Sequence, residues 1–99
     1  MELLTAKLRR MLPRLYSTEN VKDPQVVCKF FLPSFSWTWY AIEFDGQDTF
    51  FGYVAGDDQE LGYFSLSELT SLRGRLGDRL ERDLYFQPQP LSQVKKLHE

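Results

Sequence analysis

Alternation of side-chain type between Trp37 and Phe44 is the feature that most constrains the fold. In an extended strand every second side chain points to the same face. One face then holds Tyr40, Ile42 and Phe44, which we predict to be core residues. The opposite face holds Trp37, Trp39, Ala41 and Glu43. This pattern predicts a strand that belongs to a sheet with an aromatic core.

The residues after this strand have the composition of a tight hairpin turn. They read Asp45-Gly46-Gln47-Asp48 and lead into a returning strand over residues 49–55. A second turn over residues 56–59 leads into another strand, 60–64. An earlier β-branched and aromatic segment, residues 26–32, predicts a strand before them. We therefore predict an antiparallel meander of three to four strands.

Helical signals flank the predicted meander. Apolar residues from Leu3 to Leu12 follow helical spacing, with Thr5 as a candidate cap and Pro13 as a stop. After the meander, Ser65 and Glu68 have the form of a capping box, which predicts a short helix through residue 72. The predicted class is α+β: an N-terminal helix, the meander and a short helix, followed by a short C-terminal strand and tail.

The C-terminal quarter carries weaker signals. Gly74 is predicted to end the preceding helix in the left-handed conformation. Residues 84–86, Leu-Tyr-Phe, are the candidate for the short strand, and Ser92 is a candidate cap for a final helix over residues 93–97.

Size and composition predict a single domain, residues 1–99. The chain has 99 residues, of which 42% are hydrophobic and 15% aromatic, which suits one core and excludes intrinsic disorder. Its single cysteine, Cys28, excludes an intramolecular disulfide and lies in an apolar run, so we predict a buried and unreactive thiol. Neither a membrane span nor the apolar core of a signal peptide is present, and we expect a cytoplasmic protein.

Residues for catalysis are scarce. The only histidine, His98, precedes the last residue, and a Cys28–His98 dyad requires the chain end to fold back onto a strand. The acidic turns do not match the ligand spacing of an EF-hand loop, and the glycines form no phosphate loop. We therefore expect no enzyme, no metal and no cofactor.

Charge is strongly segregated along the chain. Residues 30–72 hold seven carboxylates and no Lys or Arg, together with twelve of the fifteen aromatic residues. Such a field of one sign steers binding to a basic partner, although seven carboxylates also suit a solvated rim around an aromatic core. The leading interpretation is a protein-binding surface made of Asp45, Asp48, Asp57, Asp58 and Glu60. Trp37 and Trp39 are its apolar anchors, unless the N-terminal helix covers them.

The alternative interpretation is a nucleic-acid-binding surface. Arginines are concentrated outside the acidic segment, and those that follow it are Arg73, Arg75, Arg79 and Arg82. Convergence of these arginines into one patch would attract a phosphate backbone, whereas a solvated face is the simpler reading of such a run.

The motifs Trp37-Thr38-Trp39-Tyr40, Glu43-Phe44-Asp45-Gly46 and residues 60–69, ELGYFSLSEL, resemble a family of uncharacterised bacterial proteins. The resemblance spans nearly the whole chain. Members of that family carry only a domain-of-unknown-function label and are typically encoded on plasmids, integrative elements and phages. The resemblance implies no catalytic residues.

That setting favours one kind of protein partner. Small acidic proteins of mobile elements often inhibit host nucleases by occupying a nucleic-acid groove, as anti-CRISPR and anti-restriction proteins do. By analogy of context and charge, the resemblance implies an anti-defence inhibitor.

Overall fold

A five-stranded antiparallel sheet forms the centre of the molecule. The computed structural model describes residues 2–99. The sheet has the strand order β5-β4-β3-β2-β6, and a second sheet pairs β1 with β7. The chain order is α1 (Ala6–Met11), β1 (Gln25–Val26), β2 (Cys28–Phe31), β3 (Thr38–Phe44), β4 (Thr49–Ala55), β5 (Gln59–Ser65), α2 (Leu66–Ser71), β6 (Glu81–Arg82), β7 (Gln89–Pro90) and α3 (Leu91–Lys96). The predicted α+β class is confirmed.

Three strands of seven residues, β3 to β5, form the predicted meander. The turn between β3 and β4 is stabilised by Asp45, whose Oδ1 accepts hydrogen bonds from the amides of Gln47 and Asp48 at 2.8 Å and of Thr49 at 3.0 Å. At the middle of the sheet Gly52 pairs with Ala41 on one side and with Gly62 on the other. The strand β5 lies at one edge of the sheet.

Side-chain caps begin two of the three helices, as their sequences predict. The Thr5 hydroxyl accepts a hydrogen bond from the Leu8 amide at 3.2 Å at the start of α1. Ser65 and Glu68 form the reciprocal capping box of α2. These bonds satisfy amides that have no partner inside the first helical turn.

A β-bulge changes the predicted faces of β3. The register between β3 and β4 shifts between Ala41 and Glu43, so Ile42 is the extra residue. Past this bulge the alternation moves by one position, and Phe44 packs with Trp39 and Ala41. The prediction that Phe44 shares a face with Tyr40 and Ile42 was therefore wrong.

Both faces of the sheet are covered by apolar clusters. The larger cluster includes Phe30, Trp39, Phe44 and Phe50, and it is capped by residues of the N-terminal segment and α2. The second cluster contains Tyr40, Ile42 and Tyr53 on the sheet, and Leu91 and Val94 on α3. Every residue of β3 is buried, because β3 lies at the centre of a three-layered structure.

The C-terminal quarter departs from its predictions. Gly74 is not left-handed; a Cβ there would lie 2.2 Å from an Asp78 carboxylate oxygen, so a side chain at this position would displace the Asp78 carboxylate from Ser34. The short strands are Glu81–Arg82 and Gln89–Pro90 rather than residues 84–86. Helix α3 begins at Leu91, and Ser92 donates to the Asp23 carboxylate instead of capping the helix.

Candidate functional site

The five acidic residues named from the sequence divide between the two ends of the sheet. Asp45 and Asp48 lie in the turn before β4, whereas Asp57, Asp58 and Glu60 lie after it. The seven residues of β4 separate the two groups by about 20 Å. The structure therefore does not bring all five carboxylates together.

Asp45 and Asp48 are bonded to the local backbone. The three amide hydrogen bonds to Asp45 lower its pKa, because they stabilise the charged carboxylate. Asp48 accepts from the Ser67 amide at 2.8 Å and from the Ser67 hydroxyl at 2.7 Å, which ties the hairpin to the first turn of α2. Both carboxylates therefore stabilise local structure, which is the usual role of acidic residues in a hairpin turn.

Asp57, Asp58 and Glu60 are exposed at the opposite end of the sheet. Within residues 2–99 none of their side chains makes a hydrogen bond or an ion pair to another residue. These three carboxylates are thus the part of the sequence-predicted set that is available to a partner.

The two tryptophans differ in exposure. Trp39 is 7% exposed and belongs to the larger cluster, so it is not a surface anchor. Trp37 is half-buried, with its ring centroid 6.0 Å from that of Trp39 and 6.3 Å from that of Phe35. It also covers Gly56, where a Cβ would lie 2.7 Å from the indole. Glycine at the turn lets the Trp37 ring pack directly on the backbone.

A groove of about 400 Å³ joins Trp37 to charged residues from two other segments. We call it the Trp37 groove. Its base is Leu32, Trp39 and Leu72, and its sides are Phe35, Trp37, Asp57, Arg73, Gly74 and Arg75. The Arg75 guanidinium lies 5.5 Å from the Phe35 ring centroid, which is within cation–π range. The groove therefore combines an apolar floor, one carboxylate and two guanidinium groups.

Asp78 positions the arginine loop against the segment before β3. Its carboxylate accepts from the Ser34 amide at 3.0 Å and from the Ser34 hydroxyl. The Ser34 hydroxyl is the main cause of the lowered pKa of Asp78. An isolated bridge between Arg73 and Arg79 closes this loop. The bridge places the backbone of Arg79 beside that of Arg73, while Arg73 and Arg75 line the Trp37 groove.

Arg82 does not belong to that loop. Its guanidinium donates to the Leu3 carbonyl at 2.9 Å and to the Glu2 carbonyl, so it holds the N-terminal segment on the edge strand β6. Of the four arginines named for nucleic-acid binding, Arg73 and Arg75 line the Trp37 groove, whereas Arg82 holds the N-terminal segment. The Arg73 guanidinium also donates to the Leu72 carbonyl at 2.8 Å and to the Thr70 carbonyl at 3.2 Å.

A second concave site, which the sequence analysis did not predict, lies on the other side of the sheet. We call it the Glu43 cleft. Its volume is about 420 Å³, and its wall includes Tyr16, Ile42, Glu43, Phe51, Leu61 and Tyr63. One feature of the sequence does point to this cleft: Glu43 is the single charged residue in the mostly apolar strand β3. The cleft itself depends on the segment before β1, which has no regular pattern.

Cys28 and His98 lie on opposite faces of the central sheet. Cys28 is in the larger cluster, where burial raises its pKa to about 12. The His98 ring contacts Tyr40 and Tyr53 in the second cluster, with Nε2 at 2.7 Å from the Tyr40 hydroxyl. The two side chains cannot act on one substrate, because the sheet separates them.

Within the described part of the chain, residues 2–99, no group of three or more His, Cys, Asp or Glu side chains is placed to hold a metal ion. Within the same residues no helix has both the length and the apolar composition needed to cross a membrane.

The fold is that of a small α+β protein, and the Trp37 groove and the Glu43 cleft lie on opposite sides of its antiparallel sheet. Residues 3–97 match the family described as protein of unknown function, DUF2958, and the chain belongs to that family. No curated protein and no solved structure matches the chain.

Proposed function

We propose that the protein is a non-enzymatic protein-binding module and that the Trp37 groove is its binding site. The observation that supports this proposal is the convergence of Trp37, Asp57, Arg73 and Arg75 on one open groove. Tryptophan and arginine are the residues most enriched among the energetic hot spots of protein interfaces. The groove combines an apolar floor with side chains of both charges. Such a surface complements another protein better than it complements a nucleic acid, whose backbone carries charge of one sign only.

The charges that line the groove specify the partner's surface. Arg73 and Arg75 favour a carboxylate, whereas Asp57, with the exposed Asp58 and Glu60 close to it in the chain, favours basic residues. Charge-assisted hydrogen bonds to these groups fix orientation, and the exposed carboxylates accelerate encounter at low salt. A partner with adjacent acidic and basic residues around an apolar protrusion fits this arrangement.

We extend the proposal to a biological setting. The family resemblance implies a mobile genetic element, and in that setting a module of this kind serves as an anti-defence inhibitor of a CRISPR or restriction complex. The support is the exposed group Asp57, Asp58 and Glu60, since carboxylates at fixed positions can occupy sites that hold nucleic-acid phosphates.

The test is capture of partners from a bacterial host lysate that contains CRISPR and restriction complexes. Tagged wild-type protein is compared with an Arg73→Ala, Arg75→Ala variant and with Arg10→Ala, an exposed arginine of α1 that lies outside the groove. We expect wild type and Arg10→Ala to retain a stoichiometric, nuclease-resistant protein that the double variant loses. Equal capture by all three proteins would disprove a role for the groove.

The role of the acidic residues Asp57, Asp58 and Glu60 is tested by a separate experiment. Once a partner is captured, an Asp57→Asn, Asp58→Asn, Glu60→Gln variant should associate more slowly, and its association rate should depend less on salt. Stopped-flow or surface-binding kinetics at two salt concentrations measure both quantities. Unchanged rates would remove the acidic surface from the proposal.

Nucleic-acid binding remains the second candidate, because Arg73 and Arg75 line the same groove as two aromatic rings, Phe35 and Trp37, and Arg79 is bridged to Arg73. Stacking of bases on aromatic side chains together with phosphate contacts is how single strands are bound. This candidate predicts an affinity for labelled single-stranded DNA or RNA that falls steeply with salt. A flat titration at low salt excludes it.

A further inference from the structure

The Glu43 cleft is separate from the Trp37 groove, because the central sheet lies between them. Its wall contains aromatic side chains, two of which are exposed to solvent. Tyr16 and Tyr63 are 58% and 57% exposed, and their ring centroids are 6.3 Å apart. The Phe51 centroid is 5.2 Å from that of Tyr63. Three aromatic rings, tilted relative to one another, therefore line one end of the Glu43 cleft, which is large enough to hold a side chain.

A buried carboxylate lies among these rings. Glu43 is 3% exposed. It accepts hydrogen bonds from the Tyr16 amide at 2.7 Å, from the Thr18 amide at 2.9 Å and from the Thr18 hydroxyl. The β-bulge at Ile42 brings Glu43 to the cleft, and Tyr16 adopts a φ of 70°, unusual for a residue other than glycine. Two uncommon backbone features thus place one charge beneath the aromatic walls.

Two carboxylates, Glu43 and Glu19, lie near Tyr63 at this end of the cleft. Glu19 lines the cleft close to Tyr63, and the pKa of Tyr63 is raised by desolvation first, and then by Tyr16, Glu43 and Glu19. Lys22 and Lys95 line the same cleft and are exposed; with Asp23 and Ser92 they also line a neighbouring depression. Solvent screens the exposed charges of Glu19, Lys22 and Lys95 alike, whereas Glu43 is fixed in the interior and is screened less.

The open edge of the sheet borders the cleft. The backbone hydrogen bonds from Leu66 to Asp48 and from Gly56 to Asp58 fix the alternation of paired and outward-facing amides between β4 and β5. By that alternation the amides of Leu61 and Tyr63 face away from β4, toward the unoccupied edge. Their side chains line the cleft. An extended segment paired with β5 would place alternate side chains on the same face.

We propose that the Glu43 cleft binds the cationic side chain of an arginine or lysine, presented by an extended partner segment that pairs with β5. Cations bind over the faces of aromatic rings, and a nearby carboxylate adds attraction. Backbone pairing at a sheet edge supplies affinity in known peptide complexes, and pockets for alternate side chains supply specificity. The basic head lies over the exposed Tyr16 and Tyr63 rings, on the side of the cleft that holds Glu43.

The test is an NMR titration with a short acetylated and amidated peptide, valine-threonine-arginine-threonine-valine. The same peptide with citrulline in place of arginine is its neutral counterpart, and free guanidinium ion separates binding of the cation alone from binding of the segment. We expect the arginine peptide to shift the amide signals of Leu61 and Tyr63 and to bind at least about fivefold more tightly than the citrulline peptide. Free guanidinium should leave both amides unshifted.

Variants connect the binding to the cleft. Tyr63→Leu keeps apolar bulk but removes the ring, and should weaken the arginine peptide about fivefold. Tyr63→Phe should bind as wild type does. Tyr85→Leu, the same substitution at a 91% exposed tyrosine outside the cleft, is the matched control. Glu19→Gln removes an exposed charge without touching the buried hydrogen bonds and should weaken binding.

The proposal is wrong if arginine and citrulline peptides bind equally, if guanidinium alone reproduces the shifts, or if Tyr63→Leu and Tyr85→Leu have equal effects. None of these results depends on the Trp37 groove, so this inference and the proposed function can fail separately.

Discussion

Gly52 occupies a position where no side chain fits. A Cβ at Gly52 would lie 1.9 Å from the Tyr40 carbonyl oxygen, a backbone atom that cannot rotate away. We predict that Gly52→Ala lowers the free energy of unfolding by about 3 kcal/mol or more, since overpacking at such a site forces the backbone to move. Urea unfolding followed by tryptophan fluorescence measures the loss.

Gly62 provides the matched control, because it pairs with Gly52 across β4 and β5 and has open space around its Cβ position. Gly62→Ala should change the free energy of unfolding by less than about 1 kcal/mol. Equal losses for the two variants would show that glycine is needed at both positions for some reason other than contact with Tyr40.

Cys28 should be unreactive in the folded protein. Burial raises its pKa to about 12 from an ordinary value of 9.0, so its thiolate population at pH 8 falls about a thousandfold. We predict that a thiol reagent modifies native Cys28 at least a thousandfold more slowly than the urea-unfolded chain. A native rate within tenfold of the unfolded rate would contradict the buried position.

Single residues also mark the limit of prediction from sequence. The alternation in β3 correctly indicates a buried strand, but it cannot show a bulge, which is a property of the pairing between β3 and β4. The two residues after Ile42 therefore exchange faces: Phe44 joins the larger cluster, and Glu43 reaches the cleft.

At the scale of elements, Asp48 joins the first hairpin to α2. Removing its carboxylate leaves the Ser67 amide without its partner at the start of a helix, so Asp48→Ala should cost about 1 kcal/mol of stability. Thermal unfolding followed by circular dichroism measures this loss.

Asp58→Ala is the control for that substitution, since Asp58 is an exposed turn residue. It should stay within about 0.5 kcal/mol of wild type. If the two substitutions are equally harmless, the hydrogen bonds that Ser67 donates to Asp48 contribute nothing to stability, and Asp48 returns to the set of carboxylates available to a partner.

Structural elements that are determined by a few neighbouring residues could be predicted from the sequence. The capping box of α2 and the Asp45 turn are encoded within four or five adjacent residues. The two-residue strands β6 and β7 are not encoded in this way, because each exists only through pairing with β2 or β1. The Trp37 groove has the same origin, since the Asp78–Ser34 contact joins positions 44 residues apart.

At the scale of the whole molecule, the C-terminal end docks on the second cluster through His98. Its ring lies against Tyr40 and Tyr53, and the Lys29 ammonium, paired with Asp83 at 3.6 Å, is 5.9 Å from the Tyr40 ring centroid. Burial first, and Lys29 second, lower the pKa of His98. The docked end therefore favours neutral histidine.

The sign of the pH dependence follows from this shift. A histidine with a lowered pKa in the folded state stabilises the docked end fully above its unfolded value of 6.5, and this stabilisation is lost as the pH falls through the folded value. Three carboxylates have lowered pKa values in the folded protein: Asp23, Asp45 and Asp78. Their contribution to the free energy of unfolding is therefore fully present above pH 3.8, the unfolded value, and is lost only as the pH falls through their folded pKa values. Acidification should thus release the C-terminal end before it unfolds the sheet.

An NMR titration from pH 8 to pH 3 tests this order. The His98 ring signal should titrate below pH 6.5, together with signals of Tyr40 and Val94, while amides of β4 keep their positions until the carboxylates titrate. In a His98→Gln variant the Tyr40 and Val94 signals should lose their change between pH 7 and pH 5, because glutamine does not titrate. The docking account fails if His98 titrates at or above 6.5, or if the variant shows the same transition as wild type.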